Sequence, residues 1–247
     1  MAKARADFLL VERGLAESRA RAQALILAGL VYAGERRVEK PGQTLPSDAP
    51  LTVRGRDHPW VSRGGVKLAH ALAHFGLSPA GRVCLDIGAS TGGFVDVLLA
   101  HGAKRVYAID VGHGQLAWKL RTDPRVVSLE RTNARFLSRE VIEEPIETLT
   151  CDASFIGLQR LLPAPLALTA SGAWAIALIK PQFEVGPGAV GHGGVVRNPA
   201  SHQEVCKNVS AWWGGLPGWR VLGVIESPIL GPAGNREFLI AAVRDAD

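Results

Sequence analysis

The sequence is poor in everything that would build a disulfide scaffold, a metal cluster or a membrane span. It holds three cysteines in 247 residues, Cys84, Cys151 and Cys206. They make no framework of pairs and match no zinc-ligand spacing, so a reducing compartment and no metal are expected. The run Ala-Lys-Ala-Arg-Ala-Asp follows Met1 with no apolar h-region. No secretory signal is read there, and a cytoplasmic location is expected. Residues 161–179 carry no charge, and their length alone would allow a membrane crossing. However, Pro163, Pro165, Thr169, Ser171 and Gly172 interrupt the run, so no membrane partner is expected. Within it, 170–172 reads as a helix end and turn, and 174–179 as a buried strand. No internal repeat or low-complexity tract is evident.

Hydrophobic residues make up 47% and charged residues 21% of the chain, which excludes disorder, collagen and coiled coil as overall descriptions. The length suits one large domain, or a medium domain with a small one. Net charge is +5, and up to Arg63 eleven lysines and arginines face seven acids, so the first quarter holds four of those five charges. Such lopsidedness favours an anionic partner, nucleic acid first among them.

The first piece spans 1–56. Asp7 is placed to cap a short helix through Val11, ending near Gly14. Ser18 is placed to cap a second, with Ala22, Leu25 and Ile26 on its apolar face. Strand-like runs follow at 30–33 and 51–54, with a turn at Gly34-Glu35. Arg19 and Arg21 sit in the first turn of the second helix, where the helix dipole disfavours cations by about 0.3–1 kcal/mol each. The cost is understandable if both arginines and the free N–H groups converge on one phosphate, although solvated arginines would look the same. Arg5, Arg36, Arg37, Lys40 and Arg63 are the other basic candidates. The run ADFLLVERGLAESRARAQALILAGLVYAGERRVEKPG, 6–42, resembles the S4-type RNA-binding domain, a small α+β module. That resemblance implies RNA binding through the second helix and the turn after it. Residues 57–61, opening Asp57-His58-Pro59-Trp60, read as a linker, with Trp60 able to dock on either neighbour.

The second piece, 62–247, alternates strand-like and helical patterns. Strands are expected at 83–87, 106–111, 126–129, 148–151, 174–179, 221–225 and 238–243, and helices at 66–75, 93–101, 115–120, 157–162 and 201–213. Alternation of this kind predicts a mainly parallel sheet covered on both faces, and the close spacing of the last two strands predicts an antiparallel final one.

Asp86 to Gly93 reads D-x-G-x-x-x-G-G at the end of the first of these strands: Asp86, Gly88, Ala89, Ser90, Thr91, Gly92 and Gly93, then Phe94. The glycines let a ligand approach the backbone, and Thr91 is placed to cap the following helix. This is not the dinucleotide fingerprint. A carboxylate here suits an ammonium group better than a pyrophosphate. Asp110, followed by Val111, ends the next strand, where an acid suits the two hydroxyls of a ribose. The pair describes a nucleoside joined to an amino acid. S-adenosylmethionine fits; a nicotinamide cofactor is the weaker alternative. Glu130 and Asn133 follow the third strand, near the adenine or on a plain surface loop. Phe183 could stack on a base or pack in the core. Residues 186–194 hold five glycines in nine residues and read as a mobile loop.

Lys67, Asp152, Lys180 and Glu237 occur where buried charge is costly. Strand carboxyl ends line the crevice of an open α/β sheet, and an antiparallel last strand starts at that edge. All four therefore reach one crevice, as a catalytic group or as a structural ion-pair network. VSRGGVKL, LDIGASTGGF, VYAIDVGHGQLAWKLRTDPRV, CDASFI, LIKPQFE and GNREF together resemble the TlyA family of rRNA methyltransferases, whose catalytic domain is similar to the FtsJ-type fold. The resemblance implies a Rossmann-like class I methyltransferase sheet, mostly parallel with an antiparallel last strand, behind the small S4-type domain. It implies 2′-O-methylation of cytidine in ribosomal RNA of the small subunit, the large subunit or both. It also implies that Lys67, Asp152, Lys180 and Glu237 form the Lys-Asp-Lys-Glu tetrad of that reaction. The competing readings are a pore-forming haemolysin, a label this family has carried, and a non-catalytic RNA-binding or ribosome-assembly protein. The first needs an export signal and a membrane segment, neither of which is read here; the second needs a decayed site.

Overall fold

A computed structural model describes residues 3–16, 18–54, 58–186, 190–231 and 233–246. The chain forms two units, Met1–Pro59 and Trp60–Asp247. Part of the expected linker (residue 57) and part of the glycine-rich loop (residues 187–189) lie outside the described residues.

The N-terminal unit carries β1 (Lys3–Arg5), α1 (Ala6–Glu12), α2 (Arg19–Leu27), β2 (Val31–Ala33), β3 (Arg36–Arg37), β4 (Thr44–Pro46) and β5 (Leu51–Val53). β1 pairs with β4, and β2 lies between β3 and β5, all antiparallel. Ser18 caps α2 by accepting the Arg21 N–H at 3.2 Å. Ala22, Leu25 and Ile26 turn inward beside Leu9, Leu10 and Val31. Asp7 does not cap α1. The N-cap is Arg5, and the Asp7 side chain is fully buried. Arg5, Arg19 and Gln23 donate to its carboxylate at 3.0–3.2 Å. Two guanidinium groups bind an acid more strongly than a helix-terminal amide does, and they hold the Asp7 carboxyl well below the usual carboxylate range.

The C-terminal unit is a seven-stranded sheet: β6 (Val83–Ile87), β7 (Arg105–Ile109), β8 (Val126–Leu129), β9 (Ile146–Cys151), β10 (Thr169–Ile179), β11 (Trp219–Glu226) and β12 (Phe238–Arg244). Their spatial order is β11-β12-β10-β9-β6-β7-β8. The five strands from β10 to β8 are parallel, and β12 is antiparallel to both neighbours. Successive side chains of a strand face opposite ways. Thus Ala175, Ala177 and Ile179 join the core containing Trp213, while Trp174, Ile176 and Leu178 join the core beneath α3 (Gly64–Phe75) and α4 (Gly93–Ala100). The remaining helices are α5 (Trp118–Arg121), α6 (Leu158–Leu161), α7 (Pro163–Ala167), α8 (Pro181–Glu184) and α9 (Pro199–Gly214).

Two local expectations change, and one helix is added. The helix expected at 157–162 forms as α6; Pro163 then opens α7, because proline lacks the N–H that would continue a helix but is accommodated in a first turn. Residues 170–172 lie inside β10. Its pairing with β9 is irregular between Thr169 and Trp174, and Gly172 has φ +72°. A bulge, not a helix end, absorbs the small residues. Thr91 does not cap α4; the N-cap is Gly92 at φ +98°, without a side-chain cap bond. Burial pushes the Cys84 and Cys151 thiols up to about 12, so both behave as small apolar side chains.

Candidate active site

Sheet register brings the chemistry together. Ile87 is opposite Cys151, Cys151 opposite Ala177, and Ile179 opposite Phe238. The residues next in sequence, Gly88, Asp152 and Lys180, leave the parallel strands at one edge. Glu237 precedes the reversed β12 and arrives at the same edge. Lys67 comes from the first turns of α3, which packs closely on the start of α4: a Cβ at Gly93 would lie 2.3 Å from Ser62 Oγ and 2.9 Å from the Gly65 nitrogen. Trp60 docks within this unit, so close to Gly65 that a Cβ there would lie 2.4 Å from its ring.

Four charges alternate along the cavity floor. Lys67 Nζ is 2.6 Å from Glu237 Oε2 and 3.8 Å from Asp152 Oδ2. Lys180 Nζ is 2.7 Å from Asp152 Oδ1 and donates to Ser154 Oγ at 2.9 Å and to the Asp152 carbonyl at 3.3 Å. Lys67, Lys180 and Glu237 are buried, and Asp152 is partly so. Alternation lets each charge offset its neighbour's desolvation.

These residues line a cavity of about 670 Å³, together with Ala89, Thr91, Phe94, Arg63 and Phe183. A second cavity of about 510 Å³ shares Gly88, Ser90, Asp152, Ser154 and Phe155 with it. Asp110, Val111 and Asn133 line this second space, with Ala134, Ile156 and Leu161 as apolar wall. Asp110 accepts the Ser90 and Gly112 N–H groups at 2.7 Å, one on each oxygen, leaving lone pairs facing the cavity region. Gly88, at φ +80°, lies so near Ala153 that a Cβ would be 2.9 Å from its backbone. An acid beside apolar walls suits the diol and base of a nucleoside and opposes a pyrophosphate.

Other expected residues occupy different positions. Asp86 lies beneath the loop, on the wall of neither cavity. Thr150, its register partner, donates to Oδ1 at 2.7 Å, while Oδ2 is buried without a hydrogen bond among the described residues. Burial pushes the Asp86 carboxyl up to about 7. Gly92 makes room for Leu116 and Leu120. Glu130 accepts the Gly114 N–H at 2.9 Å and pairs with His113 and Arg121, so it latches the loop after Asp110. Asn133 also caps a short turn at Ala134–Phe136. Arg5 and Arg19 converge on Asp7, and Arg36, Arg37 and Lys40 are exposed in the same N-terminal unit. Arg63 donates to the Leu230 carbonyl at 2.8 Å.

Sequence reasoning missed Ser62, Ser154, Phe155, Gln182 and Asn235, all cavity-lining. Asn235 donates to the Gly194 carbonyl at 2.9 Å and accepts the Val196 N–H at 3.0 Å, tying the glycine-rich loop to the turn before Glu237. Its place two residues before an expected acid was the available signal.

A family model for FtsJ-like methyltransferase matches residues 60–244, and one for the S4 domain matches 5–49. The chain belongs to the FtsJ-like methyltransferase family, in its TlyA branch. It is 48% identical to the 16S/23S rRNA (cytidine-2′-O)-methyltransferase TlyA of Mycobacterium tuberculosis, over 96% of this chain and 89% of that one. It is 39% identical to Hemolysin A of Brachyspira hyodysenteriae, over 95% and 98%. A solved structure from Streptococcus thermophilus, described as a hemolysin, aligns with TM-score 0.77 and 42% identity, over 99% of this chain and 90% of that one. This TlyA-type chain is thus an enzyme with an S4 domain in front of a mostly parallel methyltransferase sheet. Among the described residues, no helix is long and apolar enough to cross a membrane.

Proposed function

We propose that this TlyA-type enzyme methylates the ribose 2′-oxygen of cytidine in ribosomal RNA, in one or both subunits, with S-adenosylmethionine as donor. The observation that carries the proposal is the Glu237–Lys67–Asp152–Lys180 chain beside a cavity of about 510 Å³ lined by Asp110 and apolar side chains. In this reading Asp110, Val111 and Asn133 hold the nucleoside part, and Gly88 to Phe94 hold the amino-acid part. Asp86 lies under that loop, bonded to Thr150, and Glu130 latches the loop after Asp110. When bound, the donor supplies an electrophilic methyl on a sulfonium sulfur.

A ribose hydroxyl is a poor nucleophile and must lose its proton as it attacks. Lys180 is the central group. Its amine donates to the Asp152 carbonyl and Ser154 Oγ and is ion-paired with Asp152 Oδ1. A substrate hydroxyl enters by replacing the Ser154 hydroxyl. As an ammonium Lys180 then fixes that oxygen while its proton passes to water; as a neutral amine, having first released its own proton to water, it takes the hydroxyl proton. In both cases Asp152 holds the amine in place. Glu237 fixes Lys67, which adds positive charge beside the developing oxyanion. Arg5, Arg19, Arg21, Arg36, Arg37 and Lys40 contact phosphates; Arg63 and Phe183, with Phe155, face the target nucleotide at the cavity. A ribosomal RNA substrate fits a cytoplasmic protein.

Labelled donor, purified protein and bacterial ribosomal subunits test the proposal. Wild type transfers label to a cytidine ribose, located by mass spectrometry. Lys180→Ala lowers the rate by about 10²–10⁴-fold while donor affinity stays within about twofold. Normal transfer by this variant refutes the role of Lys180.

A further inference from the structure

Phe155 combines two unfavourable features. The residue is 90% exposed, and its backbone has φ +67°, a conformation that a bulky residue avoids. Strain of this kind persists only where the surroundings enforce it. The Phe155 ring sits 5.1 Å from that of Phe183, with planes 45° apart, and both residues line the larger cavity.

The loop that carries Phe155 is tied down two and three residues later by Glu184. Its Oε1 accepts the Leu158 N–H, the first amide of α6, at 2.8 Å. Between Phe155 and that amide lies Gly157, where a Cβ would be 2.9 Å from Glu184 Oε2 and 3.3 Å from the Phe183 carbonyl oxygen. The backbones at 157 and 183 therefore approach too closely for a side chain at 157, and the carboxylate bridges them. Burial pushes the Glu184 carboxyl above its ordinary value, against the Leu158 hydrogen bond, so solubility does not explain an acid here.

We propose that Glu184 is a positioning residue for the RNA base. It clamps the loop after Asp152 to the segment after Lys180, so that Phe155 and Phe183 form a two-ring platform at the cavity. Glu184 thereby sets affinity for the RNA and leaves the donor and the transfer step alone. The inference rests on the RNA-methylating function proposed above.

The test uses the full chain, ribosomal RNA and labelled donor. Glu184→Ala raises KM for RNA by about tenfold, the scale of losing one base–aromatic stack. Its kcat and donor affinity stay within about twofold. Glu184→Gln, whose amide oxygen still accepts the Leu158 N–H, stays within about twofold of wild type in KM. Phe155→Ala raises KM similarly, and the double variant is no worse than Phe155→Ala alone. Additive losses, a parallel fall in donor affinity, or a tenfold KM rise in Glu184→Gln each overturn the proposal. An inactive wild type overturns the proposed function and this inference together; an active one with unchanged KM in Glu184→Ala overturns this inference alone.

Discussion

Asp7 in the N-terminal unit and Asp86 in the C-terminal unit are both buried, yet their surroundings push their protons in opposite directions. Asp7 receives two guanidinium groups and an amide. Asp86 receives one hydroxyl, from Thr150. Burial disfavours both carboxylates; only Asp7 has the cationic partners that reverse the balance. The difference separates a charge that organises a surface from one that strains a core. Asp7 orients Arg5 and Arg19, which remain half exposed. Asp86 sits under the loop that joins β6 to α4.

Replacing Asp86 offers the largest effect. Its folded pKa of about 7 lies above the unfolded carboxylate value, so the native state holds an extra proton between the two. Stability therefore falls as pH rises toward 7, and above 7 the full cost is present. Asp86→Asn should stabilise the ligand-free protein by about 1–3 kcal/mol at pH 8.5, with the gain fading toward pH 5. All six tryptophans lie from residue 60 onward, so tryptophan-monitored urea unfolding reads this unit. A gain independent of pH would break the comparison.

Asp7→Asn should act with the opposite sign. The depressed Asp7 pKa contributes stability that is fully present above the unfolded value, begins to decline below it, and is lost only as pH falls through the folded value, beneath the usual carboxylate range. A loss of about 1–2 kcal/mol is expected at pH 7, unchanged down to the unfolded carboxylate value and shrinking only below it. Hydrogen exchange of α1 and α2 amides measures it.

The smallest effect sharpens the contrast within the N-terminal unit. Arg19→Ala removes both an Asp7 partner and a proposed phosphate contact, so it should speed exchange in α1 and weaken RNA binding. Arg21→Ala should weaken RNA binding alone. Each lowers the salt slope of binding by about one. Equal exchange rates in the two variants would count against an organising role for Asp7.

The large sheet was readable because apolar runs announce buried strands: 83–87 and 126–129 were found to the residue, and the reversed last strand followed from its short connection. In the N-terminal unit β2 and β5 were readable, from the runs at 30–33 and 51–54. β1, β3 and β4 were not, because their two or three residues (KAR, RR and TLP) offer no apolar run. Asp7 was misread as a cap because its partners arrive from Arg19 and Gln23, on the next helix. Within the candidate site, charged residues at strand ends were visible. Ser154, Phe155 and Asn235 were not, because a positive φ, a stacked ring or a loop anchor leaves little local trace in composition.

The reversed β12 has a consequence for assembly. Lys180 finds Asp152 across 28 residues, but Lys67 finds Glu237 across 170. Closing the longer loop adds little entropy cost, since that cost grows only with the logarithm of length. It does require β10 and β12 to be in register first. Without that register Glu237 would not arrive beside Lys67, so the four-charge chain depends on a pairing made far along the sequence.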